Sequence, residues 1–77
     1  MRTIEFRGMK FEYDDRCTKS YKWQKKALSG DSGRALVAIE DLFAGRDEDY
    51  AEMLGDDAEA MQELIAAVVA DTNESKN

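Results

Sequence analysis

The stretch Thr3-Ile4-Glu5-Phe6-Arg7-Gly8-Met9-Lys10-Phe11-Glu12-Tyr13 decides the fold. Ile4 and Phe6 alternate with Thr3, Glu5 and Arg7 before Gly8, and Met9, Phe11 and Tyr13 alternate with Lys10 and Glu12 after it. A period of two marks a strand with one buried face, and two such arms joined at a glycine read as a β-hairpin. A turn at Arg7-Gly8 sets Phe6 opposite Met9, Ile4 opposite Phe11 and Glu5 opposite Lys10. A turn at Gly8-Met9 gives glycine the first position of a type II′ turn but faces Glu5 with Glu12. Like charges directly opposite cost a few tenths of a kcal/mol. The first register pairs opposite charges and keeps Met9 on the apolar face, so it is preferred.

An isolated hairpin is marginal in water and its apolar face needs a cover. Only helical patterns follow it. Asp14 or Asp15 is a suitable N-cap for a helix over about Arg16 to Ser29, closed by Gly30. Its inner face is Cys17, Tyr21, Gln24 and Leu28. Asp31 or Ser32 caps a second helix from Gly33 to Ala44, with Ala35, Leu36, Ile39, Leu42 and Phe43 at helical spacing. Asp47 caps a short third helix with Tyr50, Met53 and Leu54 inside. Asp56 with Glu59 resembles a capping box opening the last helix, Asp57 to Asp71, whose stripe is Met61, Leu64, Ile65, Val68 and Val69, extended by Ala58 and Thr72. The pattern predicts an α+β fold, an N-terminal hairpin followed by three to four helices packed on one face. Residues 1–72 form one domain, and 73–77 a frayed polar tail.

The 77 residues carry a net charge of −6, which opposes general nucleic-acid binding. The charge is unevenly divided. Residues 1–30 hold eight Lys/Arg against four Asp/Glu, or +4, and residues 31–77 hold three against thirteen, or −10. The two halves either neutralise each other internally or offer an electrostatic handle to a partner or a second copy.

The chain contains no histidine and one cysteine. An intramolecular disulfide and a zinc site are both ruled out. A nucleophile has no imidazole to activate it. Cys17 falls on an inner helix face, where a free thiol acts as a small hydrophobe. An EF-hand reading from Asp47 fails, because Glu52 takes the glycine position and Ala58 the bidentate glutamate position. The acids there suit helix N-termini. Gly30, Ser32 and Gly33 lack the Gly-Lys-Ser/Thr ending of a phosphate loop. No catalytic residue, cofactor or metal is expected, and the chain reads as no enzyme. The longest nearly apolar run, Leu64 to Ala70, is far below the roughly 20 residues of a membrane span. That run, the lone thiol and the lack of an apolar signal segment suit a reducing cytoplasm.

A solvated face is the ordinary reading of the basic helix. The functional reading takes Lys19, Lys22, Trp23 and Lys26 as a partner-binding face, since aromatics and cations dominate hot spots. Trp23 is core if buried and an anchor if exposed. Asp47, Asp49, Glu52 and Asp56 are the acidic candidates for the same role.

Three segments carry a resemblance. The opening hairpin, the block Ser20-Tyr21-Lys22-Trp23-Gln24 and the stretch Leu42-Phe43-Ala44-Gly45-Arg46-Asp47-Glu48-Asp49-Tyr50, with the closing acidic-apolar helix, resemble small tail-assembly-chaperone-like proteins of long-tailed bacteriophages and prophages. The resemblance implies a protein partner, the long aggregation-prone tape-measure protein, bound while the tail tube polymerises, and it implies self-association. Many members of that group are longer, or are also made as a frameshifted extended product. Met9, Met53 and Met61 suit either a permissive contact surface or core filling. The competing expectation is a small phage-encoded inhibitor that mimics nucleic acid and blocks a host nucleic-acid-binding protein such as a CRISPR effector. It requires Asp41, Asp47, Asp49, Glu52, Asp56 and Glu59 to line one exposed face.

Overall fold

The computed structural model describes residues 1–75. Strands β1 (Arg2–Phe6) and β2 (Met9–Tyr13) form an antiparallel hairpin in which Phe6 opposes Met9, Glu5 opposes Lys10 and Ile4 opposes Phe11. This is the charge-pairing register. Arg7 at φ 53 and Gly8 at φ 78 are both left-handed, which is the type I′ geometry that matches strand twist. Ile4, Phe11 and Tyr13 are buried, while Thr3, Glu5, Lys10 and Glu12 on the opposite face are exposed.

Five helices follow: α1 (Asp15–Lys19), α2 (Tyr21–Ala27), α3 (Ser32–Leu42), α4 (Asp47–Met53) and α5 (Ala58–Ser75). The architecture is α+β, with one helix more than the sequence pattern suggests. The extra element arises at Ser20, where the helix expected over Arg16 to Ser29 is broken. Ser20 has extended geometry (φ −86, ψ 124) and is both the C-cap of α1 and the N-cap of α2. Its hydroxyl accepts the Trp23 N–H at 3.2 Å, and its own N–H donates to the Cys17 carbonyl. Serine favours such a cap because its side chain competes with helical backbone bonding. The Thr18 carbonyl, released by the break, accepts the Gln24 side-chain amide at 3.1 Å.

The break rotates α2, so of the four residues expected inside Tyr21, Gln24 and Leu28 are exposed and Cys17 is half-buried. Tyr21 and Leu28 are 76% and 84% exposed. Thr18, unassigned by the pattern, is buried instead. In α3, Leu42 and the C-cap Phe43 are buried as expected, but Leu36 is exposed and Ala38 takes the inner position. Asp31 is its cap, accepting the Gly33 and Arg34 N–H groups. Arg46, without a side-chain bond, is the N-cap of α4, and Asp47 is its first residue. At the start of α5 Asp57, not Asp56, accepts the Glu59 N–H at 3.0 Å. Asp56 sits at φ 55, outside capping geometry. Ala60 rather than Ala58 is buried there. The helix continues past Asp71 to Ser75; residues 76 and 77 of the expected tail lie outside the described residues.

The core joins Ile4, Phe11 and Tyr13 of the hairpin to Leu42, Phe43, Tyr50, Leu54, Leu64 and Val68 of the helices. Phe11, Tyr50 and Phe43 meet edge to face at centroid distances of 5.0 and 5.2 Å. The Tyr50 hydroxyl accepts the Glu12 N–H at 3.1 Å and donates to the Glu12 carbonyl at 3.0 Å. It thereby occupies the outer edge of β2, where open backbone groups otherwise invite another strand.

Candidate functional site

A break at Ser20 and a long α5 leave a concavity between them. Trp23, Gln24, Ala27 and Leu28 of α2 form one wall, and Ile65, Val69, Thr72 and Asn73 of α5 form the other, with Thr18 between. The volume is about 350 Å³ and the lining is mainly apolar. Larger depressions over the hairpin's solvent face and beside Lys22 are more open and more polar. Among the described residues that line the α2–α5 cleft, none is titratable, so the cleft has no general acid, base or nucleophilic thiol.

The base of the cleft is held by a hydrogen-bonded chain. Thr72 donates to Thr18 Oγ1 at 3.1 Å, and Thr18 donates to the Asp15 carbonyl at 3.0 Å. The Tyr13 hydroxyl lies 3.2 Å from Thr72 and donates to Asp71 at 2.7 Å, and Arg2 pairs with the same carboxylate. These bonds hold the Asp71 carboxyl below the ordinary carboxylate range, Arg2 contributing most. Burial pushes the Tyr13 phenol up. The chain ties β2, α1 and α5 together, so the α5 wall is fixed in place.

Trp23 settles between the two expectations for it. It is half-buried against the core, and its indole N–H donates to the Ala38 carbonyl at 2.8 Å, while its ring lines the cleft. On its other side Trp23 joins Lys22 and Lys26 in a depression beside Cys17 and Asp41. Lys26 is engaged with Asp41 at 2.9 Å. Lys19 is exposed at the end of α1. Asp47, Asp49 and Glu52 lie on α4, and Asp56 precedes α5. The structure therefore unites Lys22, Trp23 and Lys26 and puts the acidic candidates on other elements. Asp47 and Asp49 are roughly 160° apart around a helix of 3.6 residues per turn, so they do not share a line.

Cys17 is half-buried with its thiol 3.5 Å from the Asp41 carbonyl. Burial first, then the charges of Asp14 and Asp41, raise its pKa, which opposes thiolate chemistry. Among the described residues no group of three or more Cys, Asp or Glu is placed to hold a metal, and no helix is long and apolar enough to cross a membrane.

Sequence reasoning assigned Leu28, Ile65 and Val69 to the core and so missed the cleft. A usable signal was present. The last helix offers a wide apolar stripe while the helix facing it offers a thin one, and that imbalance leaves apolar surface uncovered. Comparison of the chain with protein-family models, with curated proteins and with solved structures finds no match.

Proposed function

We propose that this chain is a non-catalytic, protein-binding assembly factor of the tail-assembly-chaperone kind, holding a tape-measure-like protein in the cytoplasm of a bacterial host. The observation that carries the reading is the α2–α5 cleft, an apolar concavity without titratable groups, continuous with the exposed side chains of Tyr21 and Leu28. A holdase needs open apolar surface and enough net charge to keep its complexes in solution, and −6 on 77 residues supplies the charge. Self-association belongs to the same proposal.

The acidic-decoy reading is less well supported. Asp41 is occupied by Lys26, and Asp47 and Asp49 diverge on α4. Co-expression with a phage tape-measure protein tests the proposal. The soluble fraction of that protein should rise with the chain present. An unchanged fraction, together with inhibition of a host nucleic-acid-binding protein that disappears when the acids become Asn and Gln, would hand the function to the decoy.

A further inference from the structure

We propose that the α2–α5 cleft receives an amphipathic helix whose apolar stripe is flanked by carboxylates. The inference rests on the protein-binding reading above and gives the partner a chemistry.

Three observations select that occupant. The first is the nature of the walls. Both are faces of helices, whose backbone groups are bonded along their own axes. Backbone groups entering an apolar space must be hydrogen-bonded. A cleft of this kind offers an extended segment no strand edge to complete, so the incoming segment has to bring its backbone bonds already made. A helix does so, presenting anchors at i, i+3, i+4 and i+7.

The second is the exposure of Leu28. At 84% exposed it is the most solvent-open large apolar side chain described, and it lies on the shared rim of the cleft and a neighbouring shallow groove that contains Tyr21, Lys25 and Arg34. An aliphatic residue here gains from a partner what the fold itself does not supply. Val69, 42% exposed, faces it from α5.

The third is charge. Arg2, Arg7, Arg16, Lys26 and Arg46 each have a carboxylate partner within the chain. Lys10, Lys19, Lys22, Lys25 and Arg34 have none among the described residues, and of these Lys25 and Arg34 line the groove beside Leu28. Positive groups left unpaired in a groove that adjoins an apolar cleft complement carboxylates next to a partner's apolar stripe and disfavour a basic one.

The experiment uses the full chain and reads the emission of Trp23, the one tryptophan in the sequence, which lines the cleft. The probes are amphipathic peptides of about 18 residues with leucine at i, i+3, i+4 and i+7. One has glutamates beside the stripe, one has lysines there, and one is the glutamate peptide with two central prolines. The glutamate peptide should shift the Trp23 emission and bind about tenfold or more tightly than the lysine peptide, with the preference shrinking as salt rises. The proline peptide should not bind. Leu28→Asp should weaken the glutamate peptide about tenfold or more, and Lys25→Glu with Arg34→Glu should reverse the charge preference. Leu28 is exposed enough for its variant to fold, which unchanged circular dichroism verifies, and Val69→Asp is the second variant on the opposite wall.

Equal binding of the two charged peptides, binding of the proline peptide, or indifference to Leu28→Asp overturns the inference. So does concentration-dependent self-assembly that Leu28→Asp abolishes, because a second copy then fills the cleft. Tape-measure solubility in co-expression separates the two proposals. If the chain keeps that protein soluble and Leu28→Asp does so equally well, the cleft assignment fails while the assembly role stands. If the wild-type chain has no effect, the assembly role fails by itself.

Discussion

Gly8 is the residue on which the hairpin turns. It stands at φ 78, and a side chain placed there would meet nothing within 4 Å. The cost of Gly8→Ala is therefore purely conformational, about 1–2 kcal/mol for an L-residue forced left-handed. Denaturant midpoints should show that loss, with Gly8→Asn falling between the two because asparagine tolerates this region better. A Gly8→Ala variant as stable as the parent would mean that the turn relaxes to another type. This position was legible from the sequence, because alternation on both sides of a lone glycine leaves few registers and charge pairing chooses among them. Trp23 was not legible. Its fate depended on where α3 would place a carbonyl, and no local pattern encodes that.

At the scale of elements, what the sequence hid was a phase error. Helical spacing from Cys17 to Leu28 reads as one stripe only if Ser20 stays helical, and Ser20 instead serves two helix ends. Every inner residue C-terminal to it then points elsewhere, which is why Tyr21 and Leu28 are exposed. The helices with an uninterrupted stripe were placed correctly in the main, with Leu42, Phe43, Tyr50, Leu64 and Val68 all buried. Ser20→Ala removes the acceptor of the Trp23 N–H and should lower stability by about 1 kcal/mol, as losses of helix caps do. Thermal unfolding followed through Trp23 emission measures it, and no change in midpoint would show the cap to be idle.

Tyr50 acts between elements. Its hydroxyl makes two bonds to the backbone of Glu12, and a hydrogen bond contributes about 0.5–1.5 kcal/mol net. Tyr50→Phe keeps the ring between Phe11 and Phe43 and removes only the hydroxyl. The variant should lose about 1 kcal/mol or more and should scatter more light at high concentration, since the outer edge of β2 is then open. A fully monomeric variant of unchanged stability would contradict this account.

For the whole molecule, acid is the weak side. The folded chain holds Asp71 below its ordinary value through Arg2 and Tyr13, and Asp14 below it through Arg16. The unfolded chain therefore binds more protons in the acid range. The contribution of both carboxylates is complete above the ordinary carboxylate value and disappears as pH falls through their folded values. Melting temperature should drop over that window, and Asp71→Asn should flatten the drop while lowering the plateau at neutral pH. Tyr13 works in the opposite direction. Its raised pKa means stability is whole below the ordinary phenol value and declines as pH rises beyond it. A melting temperature independent of pH in the acid range would show that these pairs are screened to nothing, as exposed pairs often are. The charge asymmetry seen in the sequence survives folding, with unpaired cations near α2 and acids massed on α4. The sequence also raised the expectation of a contact surface rather than a catalytic centre. It did not show where, because a cleft between two helices depends on their relative placement.

The seal that Tyr50 puts on Glu12 also sets a schedule. The two residues are 38 positions apart. At about 5–20 residues per second on a ribosome, the hairpin leaves the exit tunnel roughly 2–8 s before the side chain that closes it. Hairpins form within microseconds but are marginal alone, so for nearly all of that interval the strand pairs only transiently and its outer edge is uncovered whenever it does. On a message read by many ribosomes at once, neighbouring nascent chains present the same bare edge to each other, and crowding along the message becomes a determinant of yield.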